Sequence, residues 1–167
     1  DCAIAMSATL GGVCLSFENI FGKDILSQYP RLTVLNSTEK PQCISDANVI
    51  FLSTEGNYPQ QHIYQFAHEL CHFVIHKPVC SAYRWLEETL CEVMSWGALS
   101  WVYEHREDAP LWPCRSIYAS FPDYIANVQQ DRLELDGQPL RQFIAQNLSH
   151  LRGDCYDRRM NRAIANE

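Results

Sequence analysis

The sequence predicts an α+β fold in which a small sheet, mixed or antiparallel, packs on two helices and a helical C-terminal part follows. Short apolar runs bounded by turn residues, at 32–35 and 49–52, have the length and composition of strands. Two longer segments, 63–75 and 86–103, carry apolar residues at spacings of three and four, the pattern of amphipathic helices. After Tyr103, Gly and Pro punctuate three further helical stretches.

The elements follow in order along the chain. Residues 3–10 and 12–15 read as strands interrupted by Gly11-Gly12, residues 17–28 as a helix and 32–35 as a strand. Residues 41–48 read as a loop. The run 49–52 is a short strand that leads through a loop at 53–60 into the helix 63–75, where Ile63, Phe66, Ala67, Leu70, Phe73 and Val74 mark the inward face. Pro78 ends that helix. The helix 86–103 offers Leu86, Leu90, Val93 and Leu99 for packing. Ala109-Pro110 and Trp112-Pro113 mark a loop, 122–133 a helix, Asp136-Gly137 a turn, and 139–151 and 156–165 two more helices.

Composition narrows the classes of function. With 167 residues, 47% apolar and 20% charged, the chain reads as one globular domain over 1–167. No apolar run is long enough to span a bilayer, and the opening Asp1-Cys2-Ala3-Ile4 lacks a basic-then-apolar secretory signal. These features predict a soluble protein, cytoplasmic in preference to secreted. The formal charge of -7 argues against nucleic acid as a partner. The eight cysteines contain no Cys-x-x-Cys pair, which disfavours a zinc ribbon. A chain of this length buries a core without staples, so reduced and mostly buried thiols are preferred to a disulfide framework.

The chemistry is concentrated in Gln65-Phe66-Ala67-His68-Glu69-Leu70-Cys71-His72. His-Glu-x-x-His on a helix is the arrangement that holds a metal and a general base in zinc hydrolases. His68 and His72, four apart, share a helix face, and Glu69 is rotated from His68 by about 100°. The competing reading is a solvated helix face that matches by accident. A catalytic zinc needs a third protein ligand, and Glu88 and Glu92, four apart on the next helix, share a face that could supply it. His76 cannot, because eight residues at about 1.5 Å each place it roughly 12 Å along the axis from His68.

At this point the chain resembles the gluzincin class of zincin metallopeptidases, in which a helix after His-Glu-x-x-His donates a glutamate ligand. Trp85-Leu86-Glu87-Glu88 is similar to the Trp-Leu-Asn-Glu run of the aminopeptidase-type members, whose final Glu binds zinc. The resemblance implies Zn2+ held by His68, His72 and Glu88, with Glu69 as base and Glu92 as an acidic partner that fixes a ligand histidine's tautomer. Fifteen residues separate His72 from Glu88, fewer than in the aminopeptidases. His68-Glu69-Leu70-Cys71-His72 followed by Phe73-Val74-Ile75-His76-Lys77-Pro78 also resembles the small bacterial metallopeptidases that cleave repressors. Cys71 stands where that family has Gly, and its Glu-Ala-Asn motif is absent from 87–98.

The resemblance covers roughly residues 49–103. It implies a zincin-like domain that hydrolyses peptide bonds of a peptide or protein substrate, with the strand at 49–52 as the edge that aligns it. Tyr103, His105, Tyr118 and Tyr124 are the residues from which a transition-state hydrogen-bond donor would come. The alternative is a non-catalytic zincin-fold module that binds a partner protein. An intact Glu69 favours catalysis, because a purely structural site needs no carboxylate there.

Overall fold

The computed structural model describes residues 2–27, 29, 31–54, 58–107 and 118–167, with the backbone alone for 2–5. Among them the fold is α+β and rich in helix. Its elements are α1 (Cys2–Phe21), β1 (Thr33–Asn36), β2 (Gln42–Ile44), β3 (Val49–Leu52), α2 (Pro59–Ile75), α3 (Arg84–Glu104), α4 (Phe121–Gln130), α5 (Leu140–Gly153) and α6 (Arg158–Ala165). The anticipated loop around 109–113 lies outside the described residues.

The N-terminal strands expected over 3–10 and 12–15 are one helix, α1. Thr9, Val13, Ser16 and Phe17 are all buried, a spacing of three and four that only a helix turns to one side. Gly12 belongs to the packing. A Cβ there would stand 3.1 Å from Val102 Cγ2, so glycine lets α1 lie close to α3. The helix expected over 17–28 stops at Phe21, where Gly22 at φ +97° takes the left-handed conformation that closes a helix.

The sheet has the order β1-β3-β2. β3 pairs in parallel with β1, Val34 opposite Ile50, and antiparallel with β2, Cys43 opposite Ile50. β3 is therefore the central strand, which corrects its expected role as a substrate-aligning edge: both of its hydrogen-bonding sides are engaged. The segment 41–48, expected as a loop, holds β2 and a single 3-10 turn at Ser45–Ala47, and Asn48 at φ 53° returns the chain into β3.

α2 opens with Pro59 in its first turn, where a missing N–H costs nothing, and closes at His76 in the left-handed region. Gln65 ties it to the sheet. Its Oε1 accepts from Ser53 N at 2.8 Å and its Nε2 donates to Ser53 O at 2.8 Å, replacing the ladder that β3 loses at its end. Phe17, Ile50, Ile63, Phe66, Leu70, Phe73 and Leu99 form the main core between α1, the sheet, α2 and α3. A second cluster, with Trp85, Phe143, Leu151, Met160 and Ala163, joins the start of α3 to α5 and α6. Of the four apolar α3 residues expected to pack, Leu99 is buried, whereas Leu86, Leu90 and Val93 are exposed. Asp136 and Gly137 form the expected turn, both with positive φ. Asp157 caps α6, its side chain accepting from Met160 N at 3.1 Å. No helix among the described residues is long and apolar enough to cross a membrane.

Candidate metal centre

The buried faces of α2 and α3 bring ionisable side chains together in the interior. His68, Glu69, Glu88 and Glu92 are all buried, and His72 is partly so. Such groups are costly to remove from water without partners, so their mutual arrangement carries information. His68 Nε2 lies 3.2 Å from Glu88 Oε2, and His72 Nε2 lies 3.5 Å from Glu88 Oε1. Donors around a tetrahedral zinc with bonds of about 2.0–2.1 Å stand roughly 3.4 Å apart. Each of the two contacts, made to a different oxygen of the Glu88 carboxylate, is close to that spacing.

Each ring turns its other nitrogen to a carboxylate of α3. His72 Nδ1 is 2.8 Å from Glu87 Oε1, a hydrogen bond that holds a proton on Nδ1 and turns Nε2 toward Glu88. His68 Nδ1 is 3.9 Å from Glu92 Oε1; both atoms are buried and without a hydrogen-bond partner. Glu92 Oε2 is held from behind by the Tyr64 hydroxyl and by Arg162 Nε at 3.4 Å.

Burial by itself pushes the Glu88 carboxyl up, but hydrogen bonds from His68 and His72 and their charge outweigh it and hold it at about 2. Burial lowers His72, and the hydrogen bonds to Glu88 and Glu87 overcome that and raise it to about 9. Glu69 goes the other way. Desolvation raises its carboxyl and Glu88 adds to that, against the partial relief of His68 and His72.

A thiol also faces the histidines. His68, His72 and Cys91 can place one donor atom each within 4.8 Å of one another. Glu88 also faces both rings, Oε2 at 3.2 Å from His68 Nε2 and Oε1 at 3.5 Å from His72 Nε2, and is ionised, whereas burial drives the Cys91 thiol far above its ordinary value and Cys71 shares a hydrogen bond with it. Cys14, Cys43, Cys71, Cys80, Cys91 and Cys155 are free thiols.

His68, Glu69, His72, Glu88 and Glu92 thus converge. The four expected donor residues do not all join them. Tyr103 stacks on Phe121 and His105 on Trp101 at the far end of α3, about 22 Å or more along the helix from Glu88. Tyr118 packs on Phe121 and feels the charges of Arg106 and Glu107, also at that end. Tyr124 alone approaches, its ring 6.4 Å from that of Tyr64, behind Glu92. His76 is an exposed helix cap. The sequence places Glu87 beside Glu88 without assigning it the Nδ1–H of His72, while Tyr64 and Arg162 carry no local signal. Comparison with protein-family models, with curated proteins and with solved structures gave no match to this chain.

Proposed function

We propose that this chain is a zinc-dependent peptidase of the gluzincin-like, zincin type, with zinc held by His68, His72 and Glu88. The observation that carries the reading is the Glu88 carboxylate, within 3.5 Å of both histidine Nε2 atoms while Glu87 takes the Nδ1–H of His72. Zinc, when bound, supplies a Lewis acid that polarises a carbonyl and makes water a nucleophile near neutral pH. The chain supplies the rest. Glu87 and Glu92 orient the two rings from behind. Glu69, beside His68 and with its proton affinity raised by burial, takes the proton of the attacking water on a carboxylate oxygen and returns it to the leaving nitrogen. The substrate is a peptide or protein chain. Since β3 is central, the strand edge available to an extended substrate on the α2 side is that of β2, whose Cys43 feels the charge of Glu69.

The deciding experiment compares wild type with Glu69→Gln, using unfolded proteins and a peptide library at neutral pH with and without a zinc chelator. The variant is expected to keep zinc and fold while hydrolysis falls by orders of magnitude. Chelator-sensitive cleavage at the wild-type rate in Glu69→Gln would refute the mechanism. No cleavage by wild type, together with tight partner binding that does not need Glu69, favours the non-catalytic binding module.

A further inference from the structure

We propose that Arg162, on the last helix, is a positioning residue of the metal centre: it fixes the Glu92 carboxylate so that Oε1 receives the Nδ1–H of His68. The inference rests on the reading of His68 as a zinc ligand and adds to it a residue seventy positions downstream of Glu92.

Arg162 is buried, and each arm of its guanidinium is engaged. Nε points to Glu92 Oε2 at 3.4 Å, Nη2 donates to the Tyr64 hydroxyl at 3.2 Å, and Nη1 donates to Asp131 O at 3.2 Å and to the Asp131 carboxylate. Tyr64 in turn donates to Glu92 Oε2. One carboxylate oxygen is thus gripped by two donors from two different helices. The other, Oε1, is left without a partner and faces the equally unpartnered His68 Nδ1 across 3.9 Å. Buried polar atoms are rarely left in that state, and a hydrogen bond between the two would satisfy both at once. Its result is chemical as well as structural, because a proton held on Nδ1 frees Nε2, the nitrogen that faces Glu88. Planar, five-donor arginine suits this role, since no other side chain can grip Glu92, Tyr64 and Asp131 together.

The test uses the full chain and zinc alone, with affinity read by competition against a chromophoric chelator and the His68 tautomer read from long-range 1H–15N spectra of the zinc-loaded protein. Arg162→Met and Glu92→Gln are each expected to weaken zinc by roughly 10- to 100-fold. The double variant is expected to lose no more than the worse single one, because Arg162 acts through Glu92, and Arg162→Lys is expected to recover part of the loss. Losses that multiply in the double variant, or an Arg162→Met protein that binds zinc as tightly as wild type with an unchanged tautomer, overturn the proposal. Should Arg162→Met not fold, Asp131→Asn removes the outer, solvent-exposed anchor and is expected to weaken zinc a few-fold in wild type and not in Glu92→Gln; equal effects in both backgrounds overturn it. A wild-type protein without zinc affinity fails the underlying reading instead.

Discussion

His72 Nδ1 is 2.8 Å from Glu87 Oε1 while Nε2 of the same ring faces Glu88, so two adjacent carboxylates of α3 address the two nitrogens of one histidine. The pair separates roles that sequence alone cannot. On the proposed reading, Glu88→Ala removes a zinc donor and is expected to abolish most zinc binding. Glu87→Gln keeps the donor set but weakens the acceptor of the Nδ1–H, so affinity should fall by roughly 10- to 100-fold. Chelator competition on both variants checks this. Equal losses in the two would mean that Glu87 and Glu88 do not have distinct roles.

Cys91 tests the donor set from the other side. If Glu88 is the third ligand, Cys91→Ala costs about 1 kcal/mol of stability for lost packing and leaves zinc affinity within a few-fold of wild type. Cobalt in place of zinc should then show no thiolate charge-transfer absorption. A strong band that vanishes in Cys91→Ala would assign the thiol as a ligand in place of Glu88.

The contact of Gly12 with α3 gives a stability prediction that does not depend on any metal. A side chain at Gly12 meets Val102 at 3.1 Å, whereas one at Gly11 meets nothing within 4 Å. Gly12→Leu is therefore expected to lose about 1–3 kcal/mol through overpacking. Gly11→Ala should gain up to about 1 kcal/mol from helix propensity. Urea denaturation of the two variants measures the contrast, and a stabilised Gly12→Leu would show that α1 does not pack on α3 through this glycine.

That glycine also shows where the sequence could and could not be read. Helix α2 is legible because its apolar periodicity marks the face it buries, and β3 because a continuous apolar run is bounded by turn residues; in α3 the periodicity gives the helix but not its buried face, since Leu86, Leu90 and Val93 are exposed. α1 was misread because Gly11-Gly12 looks like a break when propensity is judged locally. The reason for glycine there is a neighbour ninety residues away, Val102. β2 was missed for a related reason. It is three residues long, with a single partly buried side chain, and exists because β3 offers it a partner. At the site, His68, Glu69, His72, Glu88 and Glu92 could be placed from spacing on two helices. Arg162 and Tyr64 could not, because their position beside Glu92 is set by how α6 packs on α3 and α2, which no local pattern encodes. Tyr103 and His105 failed as site candidates on length alone, since α3 runs too far past Glu88.

His62 supplies a pH dependence remote from the metal ligands. The ring is buried at the start of α2, with Nδ1 2.9 Å from Tyr58 O and Nε2 2.6 Å from Thr54 Oγ1, contacts that tie the helix to the end of β3. Burial lowers its pKa, and the hydrogen bond to Tyr58 offsets only part of that. The folded state therefore resists a proton that the unfolded chain accepts near pH 6.5, about the ordinary histidine value. Stability from this group is fully present above about 6.5 and is lost as the pH falls below it, with a slope of at most about 1.4 kcal/mol per pH unit. His72, raised to about 9 in the metal-free protein, acts in the opposite sense: its contribution is present below the unfolded value and is lost as the pH rises through about 9. Comparing urea denaturation of metal-free wild type and His62→Gln between about pH 5 and pH 7.5 isolates His62, since His72 titrates alike in both. The wild-type curve should fall more steeply toward acid, and identical slopes would show that His62 takes up its proton as readily in the folded protein as in the unfolded chain.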